Sequence, residues 1–492
     1  MNKFFKLKEN GTNVRTEIAA GLTTFFAMAY IVFVNPNQVA AEGSKGWLVG
    51  LGADAVAMGK IWNSVFIASI LAAFLGTILY SFIANLPFAQ ACGMGLNAFF
   101  CTTFVSGAYF SGVDVISGYQ SGLAIIFLSG ILFLLLSITG ARTYIAKNMP
   151  DCLKKSIPAG IGLFIAFIGF QNVGIIKANQ YTLVQFLDIN GAIDGAVTDV
   201  NVMGAFETAP VTFREYAVPA LVALLGFIII GILGKLKVKG NVILGILAST
   251  VLYYLFMWEL PSFAGESITQ PFKDFAEIGL FGFVDGFKSL TAAHIGSIFN
   301  VIVLIITFCL VDMFDTLGTL YGAASQADML DENGDPVKIE KSMLCDSIAT
   351  VGGAAMGTST CTTFVECSAG VAEGGRTGLT SLVTSICFAL CLFISPLASI
   401  IPSAATAPAL IYVGVLMLKS FSKVDMDDLT SSVPAFITLV MMPLTYSISN
   451  GIGLGAIAYT LMKIFTGKFK AKDIMVAVIA IIFALRFVFV TM

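Results

Sequence analysis

Apolar runs alternate with short polar stretches along the whole chain, and the runs are long. A helix needs roughly 17–25 apolar residues to cross a bilayer, and runs of about that order fall at 18–34, 61–84, 87–105, 118–139, 157–176, 218–234, 242–258 and 295–318. They continue at 342–356, 357–375, 379–401, 407–418, 434–447 and 452–465. This pattern predicts an all-α polytopic membrane protein with fourteen spans. A last apolar helix, 474–490, follows a basic segment. Arg486 interrupts it, and the pattern leaves open whether it crosses, lies in the interface or packs on the bundle.

Composition agrees with that reading. Hydrophobic residues make up 57% of the 492 and charged residues 12%, against about 25% charged in soluble domains. The charges mark orientation. Basic residues cluster near Lys3–Arg15, Arg142–Lys155, Lys235–Lys239 and Lys463–Lys472. Placing all four in the cytoplasm puts the N-terminus inside and the acidic loops 178–214 and 259–292 outside. Arg142–Lys155 reads as an interfacial helix. The nine cysteines are odd in number and mostly lie in apolar runs, which suits apolar filler better than a disulfide or zinc framework. No GxxxxGK[ST] loop offers ATP chemistry and no basic tract offers a nucleic-acid site. No cofactor or metal is expected.

Gly357–Gly375, GTSTCTTFVECSAGVAEGG, fits no ordinary membrane helix. Its glycines weaken a helix, its hydroxyls are unwelcome among lipid tails, and Glu366 is costly at depth unless it lines a cavity. Broken polar backbone at membrane depth belongs around a buried or water-filled site. Two other runs carry polar groups. Asp312, Asp315 and Thr319 share one face of the 295–318 run and its end. Asn97 follows Gly93 and Gly95 and precedes Phe99 in the 87–105 run. If the two broken runs are half-helices meeting head to head, a planar polar ligand can bind Asn97, Thr363, Glu366 and Asp315 and stack on Phe364 or Phe99. Glu366, Asp315 or Asp312 would then carry a co-transported proton. Each also has a plain structural reading. Asp312 and Asp315 can be polar contacts between spans, Asn97 can be packing glue, and Glu373 with Arg376 reads as a solvated pair. His294, the one histidine, reads as interfacial.

The halves of the chain look alike. Val218-Pro219-Ala220 matches Val433-Pro434-Ala435, Pro158-Ala159 matches Pro408-Ala409, and the two broken runs match each other. A repeat of seven spans must be inverted, and inverted repeats with broken segments at matching places point to a site at the midplane.

Four stretches together resemble the nucleobase–cation symporter family 2, in its azaguanine-type branch of adenine/guanine/hypoxanthine permeases. They are Thr23–Tyr30, Ala91–Ala98, Phe314–Thr319 and Thr362–Glu366. The resemblance implies two inverted repeats of seven spans, with a short strand before each half-helix in spans three and ten. It implies a core domain (1–140 and 293–402), a gate domain (141–292 and 403–470) and a C-terminal helix (471–492). It implies that Asp315 and Glu366 hold the base. Thr319, where uracil-transporting relatives often carry histidine, favours the purine branch, and Asn97 matches that branch's polar position. The expected activity is proton-coupled import of purine nucleobases across the plasma membrane, with Na⁺ the less favoured coupling ion and homodimerisation through gate helices. The rivals are an anion, dicarboxylate, xanthine or uracil carrier on the same fold, and an intramembrane aspartyl enzyme.

Overall fold

The apolar runs do form helices, and the breaks between them shape the architecture. A computed structural model describes residues 2–489 apart from 141–148, 180–181, 201–205, 239, 259–268, 291–294, 296–297, 327–328, 333–335, 365 and 395–399. The first helix, α1 (Val14–Met28), starts at Asn13, whose side chain accepts a hydrogen bond from Thr16 N. After a tight turn at Ala29 and Tyr30 it continues as α2 (Ile31–Val39). There follow α3 (Ala55–Leu79), β1 (Gln90–Cys92), α4 (Met94–Phe100), α5 (Val115–Ile138) and α6 (Asp151–Asn172). Two hairpins, β2 (Ile176–Asn179) with β3 (Leu183–Phe186) and β4 (Ala196–Val200) with β5 (Phe206–Pro210), precede α7 (Phe213–Lys235) and α8 (Asn241–Met257). Short helices α9 (Gln270–Asp274) and α10 (Phe283–Ser289) lead to α11 (Ile298–Gln326) and α12 (Ile339–Met356). Next come β6 (Cys361–Thr363), α13 (Cys367–Ala372) and α14 (Gly378–Leu390). The chain closes with α15 (Ser403–Leu418), α16 (Leu429–Leu444), α17 (Ile448–Phe465) and α18 (Ile474–Phe489).

Among the described residues, eight helices are long and apolar enough to cross a membrane, and four shorter apolar helices accompany them. The protein is a mostly helical, multi-pass membrane protein. One set of helices packs around α1, α3 and α5, with α11 to α14. Another packs around α6, which lies against α15 and α16, while α7 and α8 pack on α15. Glycine makes the α6–α15 approach close. A Cβ on Gly414 would lie 2.6 Å from Gly162 O and 2.7 Å from Ala166 Cβ, a small-residue contact of the kind that lets membrane helices touch. Gly451 and Gly455 do the same for α17 against Thr438 and Met442 of α16.

Three expectations change in detail. The stretch 178–214 is not a plain polar loop, since it holds the second of two antiparallel hairpins and all but the first two residues of the first. The stretch 259–292 contains α9 and α10, which pack on α3 and α5. Asn63 there donates to the buried Asp274 at 2.7 Å, and Lys60 meets Glu277 at 2.6 Å. The third concerns Arg376, whose Nη1 donates to the carbonyls of Val371 and Gly375 at 2.7 Å each. The final helix α18 packs on α17, where Tyr459 OH donates to Asp473 Oδ1 at 2.8 Å. His294 and the first half of the Arg142–Lys155 segment, 142–148, lie outside the described residues, and Asp151–Lys155 form the start of α6 and no separate helix.

Candidate functional site

The site begins with two strands of three residues each. β1 and β6 pair antiparallel, Gln90 with Thr363, Ala91 with Thr362 and Cys92 with Cys361, so segments from the two halves of the chain form one small buried sheet. An unpaired strand edge inside a bilayer is costly, and here threonines from long helices supply the missing partners. Thr77 of α3 donates its hydroxyl to Gln90 O at 3.0 Å and accepts from Gln90 N at 3.1 Å. On the other strand, Thr350 Oγ1 of α12 accepts from Cys361 N at 3.2 Å, and its one proton goes to Asp312 Oδ2 at 3.0 Å or to Cys361 O at 3.3 Å. The strands hand over to the half-helices α4 and α13. The expected short strands in spans three and ten are present.

A cleft opens beside this sheet. Its polar wall is built by Asp315 and Thr319 of α11, by Thr362, Thr363 and Phe364, and by Glu366 at the N-cap of α13. Gly95 and Met94 of α4 complete that wall. The facing wall is apolar, with Ile161 and Ile165 of α6 and Val413, Leu416 and Met417 of α15. Among the described lining residues none is Lys, Arg or His. Gly93 keeps the approach to Asp315 open, because a Cβ there would lie 3.3 Å from Asp315 Oδ2 and 3.0 Å from Thr362 Cγ2.

The hydrogen bonds behind the wall limit what it offers a ligand. Thr319 Oγ1 donates to Asp315 O at 3.0 Å or Thr316 O at 3.2 Å, which leaves its lone pairs toward the cleft. Thr363 Oγ1 pairs with Tyr80 OH at 2.6 Å. Tyr30 OH donates to Glu366 Oε1 at 2.6 Å. A third buried carboxylate, Asp346 of α12, stands behind Asp315. It accepts from Gln90 Nε2 at 3.0 Å and from Thr316 Oγ1 at 2.6 Å.

Asp315, Thr319, Thr363, Phe364 and Glu366, expected from the sequence, all border this cleft. Asn97, Phe99 and Asp312 are not among the residues lining it. Asn97 accepts from Ser359 Oγ and donates toward Gln38 Oε1 at 3.4 Å, in a buried polar cluster next to the sheet. Phe99 stacks on Phe308 with centroids 4.8 Å apart. Asp312 Oδ2 lies 3.0 Å from Thr350 Oγ1, the hydroxyl that also accepts from Cys361 N of β6. Sequence reasoning missed Tyr30 and Asp346. Asp346 carried the same signal as Asp312, a carboxylate inside an apolar run. Tyr30 carried none beyond its place in the Thr23–Tyr30 stretch, because a tyrosine is ordinary in a membrane helix. Away from the cleft, past the end of α2, burial pushes the Glu42 carboxyl up to about 7, against a hydrogen bond from Ser403 that lowers it. Among the described residues no cluster of three or more His, Cys, Asp or Glu is placed to hold a metal.

Residues 15–454 match the family model of a permease family, Xan_ur_permease. The adenine permease AdeQ of Escherichia coli is 38% identical over 490 residues, covering 100% of this chain and 96% of that protein. The guanine/hypoxanthine permease PbuG of Bacillus subtilis is 38% identical over 492 residues, covering 99% of this chain and all of that protein. Among solved structures, the transmembrane domain of a cyanobacterial bicarbonate transporter, BicA, superposes with a TM-score of 0.57 at 14% identity, over 89% of this chain and 97% of that one. That likeness concerns the fold alone.

Proposed function

This chain belongs to the permease family matched by Xan_ur_permease, and from that premise we propose that it carries purine nucleobases across the plasma membrane, coupled to protons. It is a permease and not an enzyme, as its curated relatives are. The observation that carries the substrate reading is the two-faced cleft. Asp315 and Glu366 stand on one wall and aliphatic side chains on the other, with no described cation between them. A purine has that shape, with apolar faces and an edge of N–H and ring nitrogen groups. Buried carboxylates read the edge and Phe364 offers a ring for stacking. The same wall opposes an anion, whose charge would meet two carboxylates with no described cation to offset them. Relatives at the same identity are an adenine permease and a guanine/hypoxanthine permease, so both groups of purines remain within the proposal.

The mechanism we infer is alternating access. The polar wall belongs to α4, α11, β6 and α13, which we assign to the core (1–140 and 293–402). The apolar wall belongs to α6 and α15, which we assign to the gate (141–292 and 403–470, less α9 and α10, which pack on α3 and α5 of the core). A ligand held between them is exposed to one side or the other as the two bodies rock. Repeated prolines, Pro158 with Pro408 and Pro219 with Pro434, lie inside α6, α15, α7 and α16. They support the reading of two inverted repeats of seven spans with the N-terminus in the cytoplasm. Protonation of Glu366 or Asp315 couples the base to the gradient, since a neutral carboxyl crosses the low-dielectric interior at less cost than a charged one. Asp312 and Asn97 enter this scheme as supports of the sheet and the half-helix.

The test is uptake of labelled hypoxanthine and adenine into proteoliposomes, with and without an inward proton gradient, for wild type and Glu366→Gln. Gradient-driven uptake abolished by the substitution is the expected result. Mutant uptake equal to wild type would remove Glu366 from the mechanism. No purine uptake by well-folded wild type would sink the substrate reading.

A further inference from the structure

Tyr30 is wholly buried and does not line the cleft. It stands where the first apolar helix tightens. Val32 N bonds back to Ala29 O at 3.3 Å and Phe33 N to Tyr30 O at 3.1 Å, spacings of three that mark a short tight turn, often found at working positions within a helix. From that turn the phenol reaches Glu366 Oε1 at 2.6 Å, across 336 residues of sequence. Its hydroxyl has no other hydrogen-bond partner among the described residues.

The phenol proton therefore has one acceptor. A buried donor left without an acceptor loses the full value of its hydration, so the proton stays directed at Oε1 whether Glu366 is ionised or neutral. This leaves Oε2 as the oxygen that gains or loses the carboxyl proton. Ionised, Oε2 accepts from an N–H of the base. Protonated, it donates to a ring nitrogen or an exocyclic oxygen. One fixed atom alternates between the two roles, and the carboxyl does not have to rotate to do so.

We propose that Tyr30 is the positioning residue of the site: its hydroxyl pins Oε1 of Glu366 and so fixes Oε2 as the oxygen that meets the base and the coupled proton. The idea rests on the reading of Glu366 as a base-binding group. Without the phenol the carboxyl is free to turn and to be protonated at either oxygen, so binding weakens while the remaining wall is intact.

Equilibrium binding of labelled hypoxanthine and adenine to purified, monodisperse protein tests this for Tyr30→Phe, Glu366→Gln, the double variant and Tyr119→Phe. Tyr119 is an internal control, since it is also wholly buried and donates to Gly357 O away from the cleft. Tyr30→Phe should raise Kd for both purines by about tenfold, the usual weight of a hydrogen bond to a charged group. Glu366→Gln should weaken binding at least as much, and the double variant no further, because the phenol acts only through the carboxyl. Tyr119→Phe should bind as wild type. Tyr30→His, which restores an N–H donor, should recover part of the loss and guards against a folding defect in the phenylalanine variant. Wild-type affinity in Tyr30→Phe would overturn the proposal. So would losses in Tyr30→Phe and Glu366→Gln that multiply in the double variant, since a purely structural tyrosine behaves that way. Wild-type affinity in Glu366→Gln would instead overturn the reading of the site on which the proposal stands.

Discussion

Glu17 is the clearest place to turn the geometry into a number. It lies in the first turn of α1 and is wholly buried. Its carboxylate reaches the start of α14. Arg376 N donates to Oε1 at 2.9 Å, while Thr377 N at 3.3 Å and Thr380 N at 3.1 Å donate to Oε2. The hydroxyls of Thr377 and Thr380 also donate to Oε2, at 2.8 Å each. One carboxylate thus sits between the N-terminal ends of two helices, where a negative charge is favoured, and satisfies backbone donors that α14 cannot satisfy itself. Glu17→Ala strands the N–H groups of Arg376 and Thr377, while Thr380 N keeps the carbonyl of Thr377 at 3.2 Å. The hydroxyls fare better, since Thr380 Oγ1 has Glu17 O in reach at 3.4 Å. Each stranded donor costs about 1–3 kcal/mol, and water entering the vacated space recovers some of it. With two backbone donors stranded, the expected loss is about 2–4 kcal/mol. Glu17→Gln keeps an acceptor oxygen and should lose about 1–2 kcal/mol. Denaturant or thermal unfolding in detergent, followed by tryptophan fluorescence, reads both. Purine affinity of the folded variants should be unchanged, because Glu17 does not border the cleft. An alanine variant within about 0.5 kcal/mol of wild type, the ordinary surface range, would refute the reasoning.

Three further outcomes are expected. Glu42 is held at about 7 against its ordinary 4.5, so the unfolded chain releases this proton first and stability falls as pH rises from about 4.5 to about 7, by up to about 3 kcal/mol. Glu42→Gln should flatten that part of the melting-versus-pH curve; an unchanged slope would refute the assignment. Gly414→Val puts a side chain against the backbone of α6 and should cost about 1–3 kcal/mol. It should also weaken purine binding, because α6 and α15 carry the apolar wall; unchanged affinity would separate that wall from the ligand. Asp346→Ala should destabilise by about 2–4 kcal/mol by stranding Gln90 Nε2 and Thr316 Oγ1. In Asp346→Asn, by contrast, Gln90 can turn its amide, whose Oε1 has no partner among the described residues, toward the new NH₂. That variant should unfold within about 1 kcal/mol of wild type, and a loss equal to that of alanine would refute the compensation.

The helices were legible because a bilayer demands long apolar runs, and Glu366, Asp315 and Thr319 were legible because polar groups stand out in them. What the runs could not convey is direction. Asn97 and Phe99 lie in the right segment, yet their side chains turn to Ser359 and Phe308 and not to the cleft. Asp312 lies three residues from Asp315, but it faces Thr350. The pairing of β1 with β6 is invisible to periodicity, since three residues carry no period; the family resemblance implied the two strands but not their pairing. The hairpins, largely within 178–214, hid in an acidic stretch, where loop and edge strand have similar compositions. Glu17 stands at the head of the first run like any helix-opening carboxylate, and nothing nearby betrays its partners about 360 residues away.

The small sheet has a consequence for how the protein is made. Gln90 cannot meet Thr363 until roughly 270 further residues have been synthesised. At about 5–20 residues per second, that interval is about 14–55 s. Throughout it the first strand sits in the membrane with one edge held by Thr77 and the other without its mate. A nascent chain at that stage is a natural client for an insertase or chaperone that shelters polar backbone in lipid, and a ribosome stalled before β6 should leave a first half that such a factor can still be cross-linked to.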